Sequence, residues 1–320
     1  MLSLRLAIAG VVVLPLAWAG GASAQTPRTV KLVVPVPPGA STDFAARLLG
    51  DQIGRMQGVT VVIENRPGAS GMIGTEAVSR AAPDGNTLLV TANTYLIDAQ
   101  VRKANYHPVT SFEPVCYLVD SPALFVVNSA SPYRTLADLI TDARAKPGAL
   151  SMGAVGPGST FQMGFATFTR TAGVTMTYVP YPGSAPAVNA VLGEHVTAAF
   201  SGYAVVSEQI KANKLRALGT ATPKRIEPMP ELPTFDEQGF KGVEVDNWFG
   251  VIAPAKTPVD TLNQLSAWFK AAMQVPEVTA KFALQGLYPG TLCGAEFGAL
   301  LRRSYDKYGI AIRETGIKTE

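Results

Sequence analysis

Gly39, Ser41, Thr42 and Asp43, within Val33-Val34-Pro35-Val36-Pro37-Pro38-Gly39-Ala40-Ser41-Thr42-Asp43, are residue types that can hold an anion without a cationic side chain. Pro37 and Pro38 fix φ and remove backbone donors, Gly39 can take a positive φ, and Ser41 or Thr42 is a natural helix N-cap. The amides of residues 40–43 are then free to face outward. With the positive end of a helix dipole behind them, they suit a carboxylate or a phosphate. An ordinary capped strand-to-helix turn would use the same residues. The run Val155-Gly156-Pro157-Gly158-Ser159-Thr160 repeats the design further along, and a ligand held between two lobes needs donors from both. The candidate set is therefore Pro38, Gly39, Ala40, Ser41, Thr42 and Asp43 with Gly156, Pro157, Gly158, Ser159 and Thr160. Thr91, Asn93, Tyr181, Gly183, Ser184 and Ser201 join it because they fall at the ends of expected strands, the edge where open α/β sheets bind ligands.

Catalytic chemistry finds less support. Gly-x-Ser-x-Gly does not occur, which removes the nucleophile elbow of a hydrolase. Gly156-Pro157-Gly158-Ser159 lacks the Gly-Lys-Ser/Thr ending of a phosphate loop, and no Gly-x-Gly-x-x-Gly follows the first strand. His107 and His195 are the only histidines; each lies in a polar turn and has no cysteine at metal-ligand spacing. Asp43 and Arg47 form an i,i+4 pair at a helix start, which the dipole and local pairing explain. No catalytic residue, metal or cofactor is expected. The rival reading is an exported enzyme that acts on a small carboxylic acid through a histidine or Asp43.

The elements that must position these residues follow from periodicity. Strands at 29–34, 59–63 and 87–91 alternate with helices opening at Thr42 and Ile73, so the pattern is β-α-β-α-β and the sheet parallel. Two further strands, 115–119 and 124–127, are split by Asp120-Ser121-Pro122, and the alternation restarts at Thr135-x-x-Asp138, a capping-box variant. A Pro-rich stretch, 223–233, reads as a long surface loop. The chain closes on a strand at 249–253 and on amphipathic helices lined by Val259, Leu262, Leu265, Phe269 and Met273, then by Phe297, Leu300, Leu301, Tyr305, Tyr308 and Ile312. Those last helices need a surface, which the first sheet offers. The expected division is lobe 1 over 25–122 and 248–320, with lobe 2 over 123–247.

Residues 1–24 stand outside this fold. Arg5 gives a positive n-region, 6–18 is an apolar h-region and Ala22-Ser23-Ala24 a cleavage site, so the expected mature chain begins at Gln25; a retained anchor is the alternative. An exported chain can oxidise its thiols, but spacing leaves a Cys116–Cys293 disulfide and two free cysteines equally open. With 27 basic against 24 acidic side chains, neither nucleic acid nor an anionic membrane is an expected partner, and the 320 residues, 47% apolar, can core two lobes. A monomer that binds a small molecule fits this balance.

Several motifs together resemble the Bug-type periplasmic receptors of tripartite tricarboxylate transporters. Pro37-Pro38-Gly39-Ala40-Ser41-Thr42-Asp43 with Arg47 is similar to the family's Pro-Gly-Gly-x-Thr-Asp…Arg opening, and Glu64-Asn65-Arg66-Pro67-Gly68-Ala69-Ser70-Gly71 to its Glu-Asn-Arg-Pro-Gly-Ala-Gly-Gly loop. Pro83-Asp84-Gly85-x-Thr87-Leu88-Leu89, Val179-Pro180-Tyr181-x-Gly183, Trp248-Phe249-Gly250 and Gly316-Ile317-Lys318 fit in the same order. The chain departs at Ala40 and Ser70, where the family more often has glycine. The resemblance implies an α/β, type II periplasmic-binding-protein fold of two lobes joined by hinge strands. It also implies a periplasmic location and closure on a carboxylated solute gripped by Gly39–Asp43 and Gly156–Thr160. The implied partners are membrane permease subunits driven by an ion gradient. An effector lobe of a transcription regulator would share the fold but not the leader, and the chain shows no DNA-binding helix pair.

Overall fold

The computed structural model describes residues 28–156, 158–245, 247–290 and 292–315. The leader expected at 1–24, Pro157 and the closing Gly316-Ile317-Lys318 lie outside them. In chain order the elements are β1 (Thr29–Val34), α1 (Ser41–Gln57), β2 (Thr60–Asn65), a 3-10 turn (Ala69–Gly71), α2 (Met72–Ser79), β3 (Thr87–Ala92), α3 (Thr94–Val101), β4 (Phe112–Asp120) and β5 (Ala123–Asn128). There follow α4 (Leu136–Ala145), β6 (Ser151–Val155), α5 (Thr160–Ala172), β7 (Thr177–Tyr181), α6 (Ser184–Leu192), β8 (Ala198–Gly202), α7 (Tyr203–Lys211) and β9 (Leu215–Thr220). The chain ends with β10 (Trp248–Pro254), α8 (Val259–Met273), α9 (Pro276–Leu284), β11 (Tyr288–Pro289) and α10 (Ala295–Thr315).

Two sheets result, ordered β11-β4-β10-β3-β1-β2 and β7-β6-β8-β5-β9. β1 runs parallel to both β2 and β3, with Leu32 opposite Ile63 and Leu88, because α1 and α2 supply the crossovers that parallel neighbours require. β10 enters antiparallel between β3 and β4, so the late chain completes the first sheet. Continuous apolar runs in β1 and β3 match burial on both faces. Leu88 and Val90 pack with Leu49, Phe269 and Phe282 on one side, while Leu89, between them in sequence, packs with Leu96, Phe297 and Tyr308 on the other. The second sheet buries Phe125 and Phe200 against Phe168 and Phe235, with ring centroids 5.0–6.0 Å apart. Its other face carries Leu124, Val126 and Ala199 against Val188 and Val191. The architecture is a two-lobed mixed α/β fold.

The periodicity places most elements within a residue or two, and three were not expected. α3 carries no side-chain cap, and the burial of Tyr95, Leu96 and Ile97, with α3 packed on α10, holds it in place of a local signal. α9 is short and opens on Pro276, and β11 has two residues, one of them proline, too few to show an alternation. Of the two departures from the family pattern, Ala40 needs no glycine at φ −70°, whereas Ser70 takes φ +56°, the left-handed conformation that glycine adopts freely.

Cys116 of β4 and Cys293 are joined in a disulfide across 177 residues of chain, and no free cysteine occurs among the described residues. The bond ties the first sheet to the segment that leads into α10 and encloses the whole second lobe in its loop. A cross-link over so long a loop removes much unfolded-chain entropy, and losing it costs about 2–5 kcal/mol. The double variant Cys116→Ser/Cys293→Ser should therefore unfold at a lower temperature in scanning calorimetry, coinciding with the reduced wild type. Equal melting of oxidised wild type and double variant would contradict this role.

Candidate ligand-binding site

The β1–α1 turn is held by a buried carboxylate. Asp43, whose side chain is 3% exposed, accepts at Oδ2 from the Gly39 amide and from Arg47 Nε, both at 2.9 Å, and at Oδ1 from Asn65 Nδ2 at 2.8 Å. The same Asn65 amide donates to Val36 O, and Arg47 returns a bond to Asn65 Oδ1. Gly39 takes φ +88°, as the turn demands. Burial pushes the Asp43 carboxyl up, but the bonds from Arg47, Gly39 and Asn65 outweigh it and hold it below the usual carboxylate range. The expected hydroxyl cap is absent: the N-cap is Ala40, with no side-chain bond, and Asp43 reaches back from the third helical position instead. Ser41 and Thr42 keep their hydroxyls for other partners, and the first-turn amides have no intrahelical acceptor.

The second turn uses the other device. Ser159 caps α5, accepting from the Gln162 amide at 3.2 Å and donating to Val155 O at 2.7 Å, while Gln162 Oε1 accepts from the Gly158 amide at 2.9 Å. This is a reciprocal cap with glutamine at the third position. Gly158 sits at φ +80°.

Between the lobes lies a cavity of about 380 Å³. Lobe 1 contributes Ala40, Ser41 and Thr42 from the start of α1, Thr94 from the start of α3, and Phe249 and Leu287. Lobe 2 contributes Val155, then Ser159, Thr160 and Phe161 from the start of α5, Ser184 from that of α6, and Gly202, Ala204 and Val205 from that of α7. Ser121 and Asn247, where the chain passes between the lobes, complete the lining. Five helices thus end on one cavity by their N-termini, each bearing roughly half a positive charge. No ionisable side chain is among the lining residues. Such a cavity attracts an anion by dipoles and neutral donors, with Phe161, Phe249, Val205 and Leu287 offering an apolar wall.

Of the residues picked out from sequence, Ala40, Ser41, Thr42, Ser159, Thr160 and Ser184 line this cavity. Pro38, Gly39 and Asp43, and likewise Gly156 and Gly158, belong to the turns behind it. Thr91, Asn93 and Ser201 are buried elsewhere: Asn93 Nδ2 donates to Tyr308 Oη at 3.1 Å, and Thr91 borders a separate void of about 30 Å³ with Tyr95 and Tyr106. Tyr181 lies on Gly153 and the core of its own lobe, and Gly183 is the extended residue before α6. These residues do fall at or just past strand ends, but it is the start of the following helix, Thr94 or Gly202, that reaches the cleft. Ser121, Asn247 and Leu287 carried no local signal, and Phe249 stood out only within the Trp248-Phe249-Gly250 motif, since they meet the cavity only when two remote chain segments converge.

His107 and His195 are exposed and line no part of the cavity. A hollow of similar size, about 390 Å³, lies against the Pro-rich loop, but Asp120, Lys224, Arg225 and Glu227 line it and no helix begins there. Among the described residues no group of three or more histidine, cysteine or acidic side chains could hold a metal.

Because the folded pKa of Asp43 is depressed, its stabilisation is present above the unfolded value of about 3.9 and is lost as pH falls through the folded value. The melting-temperature gap between wild type and Asp43→Ala should be constant from pH 8 to about 5 and shrink below about 4. A gap that widened on acidification would refute a charged, bonded Asp43.

The family model described as the tripartite tricarboxylate transporter family receptor matches residues 45–317. Protein BugT of Bordetella pertussis is 31% identical over 318 residues, covering 98% of this chain and 98% of its own. The structure of R. palustris Rpa4515 with adipate is 31% identical at a TM-score of 0.78 and covers 91% of this chain and 98% of that one. MatC from Rhodopseudomonas palustris with bound malate is 26% identical at a TM-score of 0.74, covering 89% and 99%. With a family model spanning most of its length and this two-lobed fold, the chain belongs to the tripartite tricarboxylate transporter receptor family.

Proposed function

We propose that the chain is exported, loses its leader after Ala24 and serves in the periplasm as a receptor that captures a small carboxylate between its lobes. It then delivers that solute to the permease subunits of an ion-gradient-driven tripartite transporter. The observation that carries this reading is the inter-lobe cavity on which five helix N-termini converge without one ionisable side chain. Lobe 1 spans 25–122 and 248–320, lobe 2 spans 123–247, and Gly39–Asp43 and Gly156–Thr160 frame the carboxylate site from opposite sides. Relatives whose structures hold adipate and malate support a carboxylate ligand. The lining supplies hydroxyls but no histidine or carboxylate to act as a base on them, which favours capture over turnover. Closure is a hinge motion that the ligand biases by binding the closed form better.

Calorimetry of the mature chain against a carboxylate panel should show one-to-one binding without product, and an acid at ~100 times its dissociation constant should stabilise the fold by about 2.7 kcal/mol. Steady turnover of any panel member would replace this reading with the exported enzyme.

A second expectation separates backbone from side-chain recognition. No atom lies within 4 Å of a Cβ added at Gly39, so Gly39→Val acts through its φ of +88° alone and displaces the amides of the turn. Its affinity for the acid should fall by about tenfold or more. Arg47, half exposed and a turn down the helix, should matter far less as Arg47→Ala, since Gly39 and Asn65 still bond Asp43. If Arg47→Ala abolished binding and Gly39→Val did not, a guanidinium would be holding the anion.

A further inference from the structure

The void of about 30 Å³ beside Thr91 lies directly behind the cleft, because Thr94 at the start of α3 lines both. Tyr95 and Asp98 of α3, Thr75 of α2 and Tyr106 share its walls. Three polar groups there lack a hydrogen bond. The hydroxyls of Tyr95 and Tyr106, residues 4% and 8% exposed, have no partner, and the carboxylate of Asp98, 5% exposed, accepts no hydrogen bond among the described residues. Arg102 Nε stands 3.7 Å from Asp98 Oδ1, beyond bonding reach, and the Thr75 hydroxyl already donates to Gly71 O at 2.9 Å. Buried polar groups are costly to leave unbonded, and a space of this size with three polar partners suits one or two water molecules.

Few charges face Asp98. Its own helix supplies Arg102. From α2 comes Glu76, which is taken by Arg80 and Asn105. From α10 come Tyr308, whose hydroxyl accepts from Asn93, Tyr305, whose carbonyl accepts from Gln100, and the exposed Arg313, which shares the space over Gly309 with Gln100. Burial therefore dominates and pushes the Asp98 carboxyl up to about 7, with Arg102 opposing it.

We propose that the void is a hydrated proton site and that Asp98 couples proton uptake to anion capture in the cleft. The coupling rests on the anion-receptor reading above; the proton site does not. Bridging water lets the hydroxyls of Tyr95 and Tyr106 donate to the ionised carboxylate. In that form Asp98 sets a full negative charge one helical turn, about 6 Å, behind the end of α3 that reaches the cleft at Thr94, and it weakens the positive field there. Protonated, it leaves that field unopposed. An anion in the cleft and a proton on Asp98 thus favour each other, each raising the affinity of the other by the same factor.

Thermal unfolding against pH tests the proton site without a ligand. A carboxyl whose folded pKa lies above the unfolded value of about 3.9 adds stability that is present at low pH and lost as pH rises through the folded value. The melting temperature of wild type should therefore fall relative to that of Asp98→Asn between about pH 4 and 8. Tyr95→Phe, which removes one bridging donor, should move that fall to higher pH. A constant gap between wild type and Asp98→Asn overturns the proton site, and a fall unmoved by Tyr95→Phe overturns the water link. Calorimetry of the mature chain with adipate tests the coupling over about pH 6.5–8.5, where the acid stays ionised. Wild-type affinity should drop about fivefold as pH rises, with proton uptake visible as a buffer-dependent heat. Both signals should vanish in Asp98→Asn, which retains Asp120, the hinge carboxyl that burial pushes up to about 6. A flat wild-type profile, or the same slope in the variant, overturns the coupling while the receptor stands. Failure of adipate to bind at any pH overturns the coupling as stated, and the melting curves alone then decide the proton site.

Discussion

A buried carboxylate sets the geometry on which the cleft depends. Asp43 stays charged inside the protein because three donors from three segments meet it: the amide of Gly39, the guanidinium of Arg47 and the amide of Asn65. Together they join the end of β1, the first turns of α1 and the end of β2, so the α1 terminus is fixed relative to the sheet that carries it. The negative charge is consumed inside the turn and does not face the cavity. The N-terminal amides beyond it can therefore attract an anion with no opposing carboxylate in the lining.

The two lobes solve the same problem with different chemistry. Lobe 1 braces its turn with an ionised side chain and lobe 2 with neutral ones, Ser159 and Gln162, whose bonds do not depend on pH. Both leave the helix terminus uncharged in its side chains. An anion placed in the cavity would meet several partial charges acting together in a partly desolvated space, where they are screened less than in water.

Between the lobes, Met163 of α5 is buried among Trp248, Phe297 and Tyr308, Gly286 lies against the backbone of Ala204, and the rings of Tyr203 and Tyr288 are 6.4 Å apart. The crossings meet in a single backbone bond between Ser121 and Asn247, α10 packs on α5, and Lys307 pairs with Glu244 at 2.8 Å. That ion pair is half exposed, and such pairs contribute about 0–1 kcal/mol, so it resists opening only weakly. The disulfide lies wholly within the first lobe's sheet and its approach to α10, so it stiffens that lobe without locking the cleft.

The sequence by itself determined the local objects. Strand-helix alternation, the Pro-Gly turns at Gly39 and Gly158, the cap at Ser159 and the apolar faces of α8 and α10 are all written within a few residues, because dihedral limits and side-chain periodicity act at that range. The geometry of the two turns was legible for the same reason. The disulfide was not, since spacing leaves Cys116 and Cys293 free or joined and only the return of the late chain along β4 brings them together. Nor was the cap of α1, which a hydroxyl at Ser41 or Thr42 could have made; it went to Asp43 because Asn65, contributed by the neighbouring strand, completes its coordination. The tertiary structure alone decided which strand-end residues face the cleft: Thr94 and Gly202 rather than Thr91 and Ser201, with Ser121 and Asn247 added at the crossings. A cavity between lobes is made of segments far apart in the chain, and no local preference encodes where they meet.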